Sequence, residues 1–196
     1  YTTHYFVCVS ANSNWNTVSD LVAAAKTANS ANKMLSYGSS GYASHMHLGG
    51  VMMETGSGIK MNHVPFKETP QVFVSVGSGD LDWAFGSPAS TEAMHKGKKI
   101  KYLAISSPQR LDNFPDVPAV AETEGLANFE LRAWVGMFAP AGTPQFIINK
   151  INEGVKRALQ EPDVRERMQA VGAKPWSVTP TELGAAVRED EVIFGG

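Results

Sequence analysis

Short apolar runs rich in β-branched and aromatic residues recur along the chain at Tyr5–Ser10, Met34–Tyr37, Ile59–Val64, Leu81–Phe85, Ile100–Ile105 and Trp134–Phe138. Their length and composition predict strands. Between most of them lie stretches with apolar residues at helical spacing: Thr17–Ala28, Ser44–Glu54, Pro70–Val76 and Pro88–Lys96. Strands alternating with helices predict an α/β domain with a largely parallel sheet. Open sheets of that kind bind ligands beyond the carboxyl ends of their strands, so the turns after Tyr37, Val64 and Phe85 are expected at one functional edge.

After Ile105 the alternation stops. SSPQRLDNFPDVPAVAETEG reads as an irregular surface segment with one short helix near Ala119–Glu124. From Pro144 the pattern is nearly all helical. Phe146, Ile147, Ile151, Val155 and Leu159 fall on one helical face, and PDVRERMQAVGA closes a second helix at Gly172. Four dipeptides, Thr69-Pro70, Ser87-Pro88, Thr143-Pro144 and Thr179-Pro180, each predict a Ser/Thr N-cap before a proline at the first helical position, where a missing N–H costs nothing. Glu182 adds a capping box to the last.

The densest signal is LSYGSSGYASHMHLGG, Leu35 to Gly50. A strand ending at Tyr37, a Gly/Ser turn and a helix opening near Ser44 would aim backbone N–H groups and a helix dipole at one point, which suits a carboxylate or phosphate. Helix capping alone is the competing reading of these serines. Gly38-Ser39-Ser40-Gly41 lacks the middle residue of a G-x-S-x-G nucleophile elbow, which argues against a hydrolase. His45 and His47 are two apart and cannot share a metal as an i, i+4 pair could. His45 could face a cleft, whereas His47 is read as supporting the turn; His4, His63 and His95 are isolated in sequence. Lys67 and Glu68 sit between a strand and a helix, either facing a cleft or simply solvated. Asp80 and Asp82 read as loop or edge residues.

Composition narrows the function. A chain of 196 residues, 43% hydrophobic and 18% charged, can bury one sizeable core or two small lobes. Its 17 basic and 19 acidic residues are scattered, with no basic stripe for nucleic acid and no polybasic membrane patch. No apolar run is long enough to cross a bilayer. Cys8, the only cysteine, reads as a small core hydrophobe within YFVCVS. The chain opens at Tyr1 without a charged-then-apolar leader.

Several segments together resemble one family. SSGYASHMHLGG, HVPFKETPQ, GSGDLDWAFGSPAS, KIKYLAISSPQRLDNFPDVPAVAETEG, WVGMFAPAGTP and the Asp-Val-Arg helix ending in GAKP, from about Tyr5 to Val192, are similar to the Bug family, the TctC-like substrate-binding proteins of tripartite tricarboxylate transport systems. The resemblance implies a type II periplasmic-binding fold in which two lobes close on a small organic anion, usually a carboxylate, without catalysis. It implies membrane transporter subunits as partners and a periplasmic location; no cofactor is expected, and the histidine spacing already argues against a metal. Ser39, Ser40, Gly41 and Ser44 match the family's loop at the ligand carboxylate, and Gly86 and Ser87 match its second cleft turn. With His45, Phe66, Lys67 and Glu68 they make up the expected ligand-binding set. At Gly86 the family often has Asp followed by a small polar residue, and glycines are common at Glu68 and Thr69.

On this reading residues 1–139 are lobe two, complete, with hinge strands at its ends, and 140–196 are C-terminal helices that would contact lobe one. Most of lobe one is expected to be missing. The faces carrying Ile147, Ile151 and Val155 would then be exposed, favouring an oligomer with a second copy or a repositioned tail. Two other readings are an effector-sensing domain of a regulator, which shares the fold, and an enzyme acting on a carboxylic acid.

Overall fold

The computed structural model describes residues 1–170 and 172–194. The chain divides into two compact units, Thr3–Ala133 and Tyr1–Thr2 with Trp134–Gly196. Its strands are β1 Thr2–His4, β2 Phe6–Ser10, β3 Leu35–Ser39, β4 Met61–Pro65, β5 Trp83–Gly86, β6 Ile100–Ile105 and β7 Arg132–Trp134. Its helices are α1 Val18–Ser30, α2 His45–Ser57, α3 Thr69–Ser78, α4 Pro88–Lys96, α5 Gln145–Ala158, α6 Pro162–Ala170 and α7 Pro180–Phe194, with a 3₁₀ turn at Val120–Glu122.

The larger unit is built on a five-stranded sheet in the order β4-β3-β5-β2-β6. β3 runs parallel to β4 and to β5, and β2 is antiparallel to both β5 and β6. Four strands therefore point one way and β2 the other. Successive side chains of a strand face opposite sides, and this sets three layers. Tyr37 packs on Gly50 of α2, whereas the next residue, Gly38, faces Val72 of α3. Likewise Phe85 lies against Gly49 of α2, and Gly86 against Phe73 of α3 and Thr91 of α4. The core contains Phe6, Cys8, Tyr37, Trp83, Phe85 and Ile105, each at most 1% exposed. Cys8 is thus the buried hydrophobe its run predicts, and burial pushes its thiol well up.

In the smaller unit Tyr1 and Val135 exchange two backbone bonds, and Thr2 and Lys174 exchange two more. Trp134 donates from Nε1 to Asp190 at 2.6 Å and packs by Trp176. Asn152 of α5 donates to Val178 O at 2.8 Å. Helix α5 buries none of its residues: Phe146, Ile147 and Ile151 are exposed, as expected for the latter two, and Val155 is half-buried.

Several expectations need correction. Ser87 and Thr179 are side-chain caps, Thr179 with the predicted Glu182 capping box. Thr69 is not a cap: Glu68 stands in that position and Thr69 is already helical. Thr143 is not one either, because Pro144 itself is the N-cap and the Thr143 hydroxyl donates to Pro140 O. Proline's fixed φ near −65° suits both an extended cap and a first helical turn, so Thr-Pro does not set the register. The strand expected at Trp134–Phe138 is β7, Arg132–Trp134, pairing with β1. The compact units divide at Ala133/Trp134, and just beyond that point Val135 bonds to Tyr1. Gly195 and Gly196 of the expected 140–196 segment lie outside the described residues.

Candidate functional site

Because β3, β4 and β5 are parallel, their carboxyl ends share one edge, and the turns after them open α2, α3 and α4. The β3–α2 turn is the most constrained. Gly41 has φ 116° and Ala43 φ 57°; the first is open to glycine alone and the second is a left-handed conformation that costs an L-residue about 1 kcal/mol. Hydrogen bonds hold both. The Ser39 hydroxyl donates to Gly41 O at 2.8 Å and accepts from Gly41 N at 3.1 Å. Ala43 N donates to His47 Nδ1 at 3.2 Å. Ser44 caps α2: its hydroxyl accepts from His47 N at 3.3 Å and donates to Gly41 O at 2.8 Å.

Ser40 and His45 are exposed on this turn and Gly41 is half-exposed. Ser39, expected at the ligand, is fully buried with its hydroxyl turned inward. It belongs to the support of the loop. His47 supports the turn as expected, through the Ala43 bond.

In the β4–α3 turn, Phe66 N donates to Ser39 O at 2.8 Å, and the half-buried Phe66 ring leans over Gly38. Lys67 and Glu68 are exposed, and the Glu68 side chain makes no capping bond. At the third turn Ser87 accepts from Ser90 N at 3.3 Å and is half-exposed. Gly86 is buried, and a Cβ there would lie 2.3 Å from Thr91 Cγ2. With the Phe73 ring 2.6 Å from the same point, packing in this chain favours glycine here.

The structure brings residues to this edge that the sequence reading left out. β2 runs backwards, so its start lies beside the end of β5, with Phe6 opposite Gly86 and also opposite Ile105 of β6. Tyr5 is carried there; its ring lies parallel to that of His45 with centroids 6.0 Å apart. Tyr5 N donates to the buried Ser106 hydroxyl at 2.8 Å, which donates to Leu131 O at 2.6 Å. Ile105-Ser106-Ser107 repeats the strand-then-small-polar pattern of the other turns and was open to recognition. His63 also arrives: it sits opposite Tyr37 in the β3–β4 register, 5.1 Å from its ring, 4.2 Å from the ring of His47, and 2.6 Å from the Ser39 hydroxyl.

The starts of α2 and α4 bring their positive dipole ends to this edge, where Lys67 and Glu68 are both exposed. Among the described residues no three His, Cys, Asp or Glu side chains gather as a metal site. Asp82 is occupied in a structural role, accepting from Ser36 N at 2.6 Å and Ser36 Oγ at 2.8 Å.

Comparison with known proteins says to which family this open sheet, with its helix-opening turns at one edge, belongs. Residues 2–191 match the family described as "Tripartite tricarboxylate transporter family receptor", and the chain belongs to that family of solute-binding receptors, not to an enzyme family. It is 33% identical over 141 residues to a UPF0065 protein of Agrobacterium vitis, covering 72% of this chain and 40% of that one. It is 30% identical over 157 residues to BugT of Bordetella pertussis, covering 78% and 47%. The chain thus spans less than half the length of these relatives. Among solved structures, MatC from Rhodopseudomonas palustris with bound malate matches with TM-score 0.84 and 26% identity, over 98% of this chain and 65% of that one. The periplasmic binding protein BugD matches in fold with TM-score 0.86 and 24% identity, over 98% and 64%.

Proposed function

We propose that the chain is the anion-gripping part of a periplasmic receptor that binds a small organic acid through its carboxylate and delivers it to a tripartite tricarboxylate-type membrane transporter. The observation that carries this reading is the β3–α2 turn, a left-handed Gly41 and Ala43 locked ahead of a capped helix at the carboxyl edge of a parallel set of strands. Membership of the receptor family and the malate held by a structural relative support it.

Exposed Ser40, Lys67 and Glu68, with half-exposed Gly41, Ser44 and Ser87 and the His45 ring, form the gripping rim; Ser39, Phe66 and Gly86 hold it from beneath. Charge-assisted hydrogen bonds from N–H and hydroxyl groups bind a carboxylate without burying an unpaired cation. Lys67 attracts the acid, and Glu68 disfavours a second negative charge on its side. A facing lobe closes over the ligand and excludes water, and the exposed face of α5, with Phe146, Ile147 and Ile151, is covered in the assembled receptor or by a second copy.

The test is calorimetric titration of the full-length receptor with malate and a panel of mono-, di- and tricarboxylates. Saturable binding of at least one acid, with little or no binding by residues 1–196 alone, is expected, since one lobe leaves a face of the ligand in water. A receptor that ignores every acid and binds an uncharged or cationic solute refutes the reading.

A further inference from the structure

The geometry points to His63 and His47 as a pair of positioning residues that hold the two left-handed residues of the β3–α2 loop, each acting as a neutral imidazole protonated at Nε2. The inference rests on the reading of this loop as the anion grip, but its evidence is a set of contacts that involve no ligand.

The Ser39 hydroxyl has one hydrogen and two lone pairs. Gly41 O at 2.8 Å can only accept, so it takes the hydrogen; Gly41 N–H at 3.1 Å can only donate and takes one lone pair. The remaining neighbour, His63 Nε2 at 2.6 Å, is left with the other lone pair and must be the donor. That fixes the tautomer: Nε2 carries the hydrogen and Nδ1 is bare. His63 Nδ1 is buried with no hydrogen-bond partner, and a bare acceptor is tolerated in that position better than an unpaired N–H. His47 is held in the same form by a different route, because its Nδ1 accepts from Ala43 N and so carries no hydrogen. Gly41 is thus tied through Ser39 to His63, Ala43 is tied directly to His47, and the two rings pack 4.2 Å apart.

The titratable groups around His63 come from each packed element. Tyr37 on β3 stacks on it, and burial pushes that phenol up to about 12. Tyr42 of the loop stands edge-on at 5.0 Å, and His47 comes from α2. Glu54, further along α2, accepts from Met61 N at 2.7 Å. Burial, and after it the neighbouring His47, hold His63 below the usual histidine range. A second proton on His63 would put an N–H on its buried, unpartnered Nδ1. The loop is therefore fully set at neutral pH and is loosened as pH falls below the ordinary histidine value.

The experiment is long-range ¹H–¹⁵N NMR of the imidazoles of this chain, with amide exchange at Gly41, in wild type, His63→Phe and His63→Gln. Phe keeps the ring stack and removes the donor, whereas Gln places an N–H donor near the position of Nε2. Wild type is expected to show both rings as the Nε2–H tautomer. Gly41 exchange should quicken about tenfold in His63→Phe, the effect of one lost hydrogen bond. It should return most of the way in His63→Gln, with Val7, Cys8 and Val9 unchanged throughout. An Nδ1–H tautomer at His63, unchanged Gly41 exchange in His63→Phe, or a Gln variant no better than Phe would overturn the assignment. If His63→Phe does not fold, an acid titration of wild type decides: the Gly41 amide resonance must follow the His63 ring signals, and a Gly41 that stays still while the ring titrates overturns it. No acid ligand enters these readouts, so their failure is separate from a failure to bind malate.

Discussion

Replacing Gly50 by Ala adds one methyl group beneath the site. In a helix the change is ordinarily favourable by about 1 kcal/mol. Here the new Cβ would lie 2.1 Å from Tyr37 Cε2 and 2.5 Å from Cζ, roughly 1.5 Å inside ordinary carbon–carbon contact. The ring has nowhere to go: Tyr37 is 1% exposed, with His63 5.1 Å away and Trp83 5.5 Å away by centroid. Overpacking of a close-packed site costs about 1–3 kcal/mol, and a flat ring boxed in by two others falls at the upper end. Subtracting the propensity gain leaves a net loss of about 2 kcal/mol, or a fall in Tm of about 4–8 °C for a chain of this size. Gly154→Ala in α5 is the matched control, since a Cβ there meets nothing within 4 Å. It should stabilise its helix by about 0.5–1 kcal/mol. Urea unfolding followed by circular dichroism measures both. Equal and small effects at the two positions, or a stabilised Gly50→Ala, would refute the close-packing argument and the α2 face it defines.

Ser87→Ala should cost about 1 kcal/mol by removing the acceptor for Ser90 N, whereas Thr69→Ala should stay within about 0.5 kcal/mol because Thr69 caps nothing; similar unfolding midpoints for the two would contradict the cap assignments. Glu122 accepts two bonds from Arg110 and one from Ala119 N, which hold its carboxyl down at about 2. Its contribution is present above the ordinary carboxylate range and is lost as pH falls through about 2. Since both side chains are close to half-exposed, Glu122→Gln should give only a small fall in Tm at pH 7, shrinking steadily as pH is lowered through that window, and a difference that grows in acid would reverse the reasoning.

The elements of the larger unit were legible because strand and helix patterns are local. Ile100–Ile105 and Pro88–Lys96 fall where their patterns place them, and the Ser44 and Ser87 helix starts announce themselves through short-range capping chemistry. Strand direction was not local. Nothing in YFVCVS distinguishes a strand running with its neighbours from one running against them, and the reversal of β2 is what puts Tyr5 at the edge where α2, α3 and α4 open instead of the far one. Register was equally hidden. Ser39 and His63 are 24 residues apart, and they meet only because Tyr37 pairs with His63 and Ser39 with Pro65 across two parallel strands.

The same reasoning explains why the serines of the loop divided differently from expectation. A Gly-Ser-Ser-Gly run states that the backbone turns sharply and that hydroxyls are at hand, but not which hydroxyl points down. Strand alternation decides it: Tyr37 faces α2, so Ser39, two residues on, faces the same side, where His63 and the interior of the turn meet it. Ser40 is the first residue beyond the strand and is free to face out. A loop of this kind needs buried polar groups to stay open at its surface, because an exposed N–H can serve a ligand only if something beneath fixes its direction. In this chain the hydroxyl beneath the loop is that of Ser39, which the Gly/Ser motif does select, and the His63 and His47 rings beside it, 4.2 Å apart and tilted, are set there by strand register and helix start, which the motif does not state.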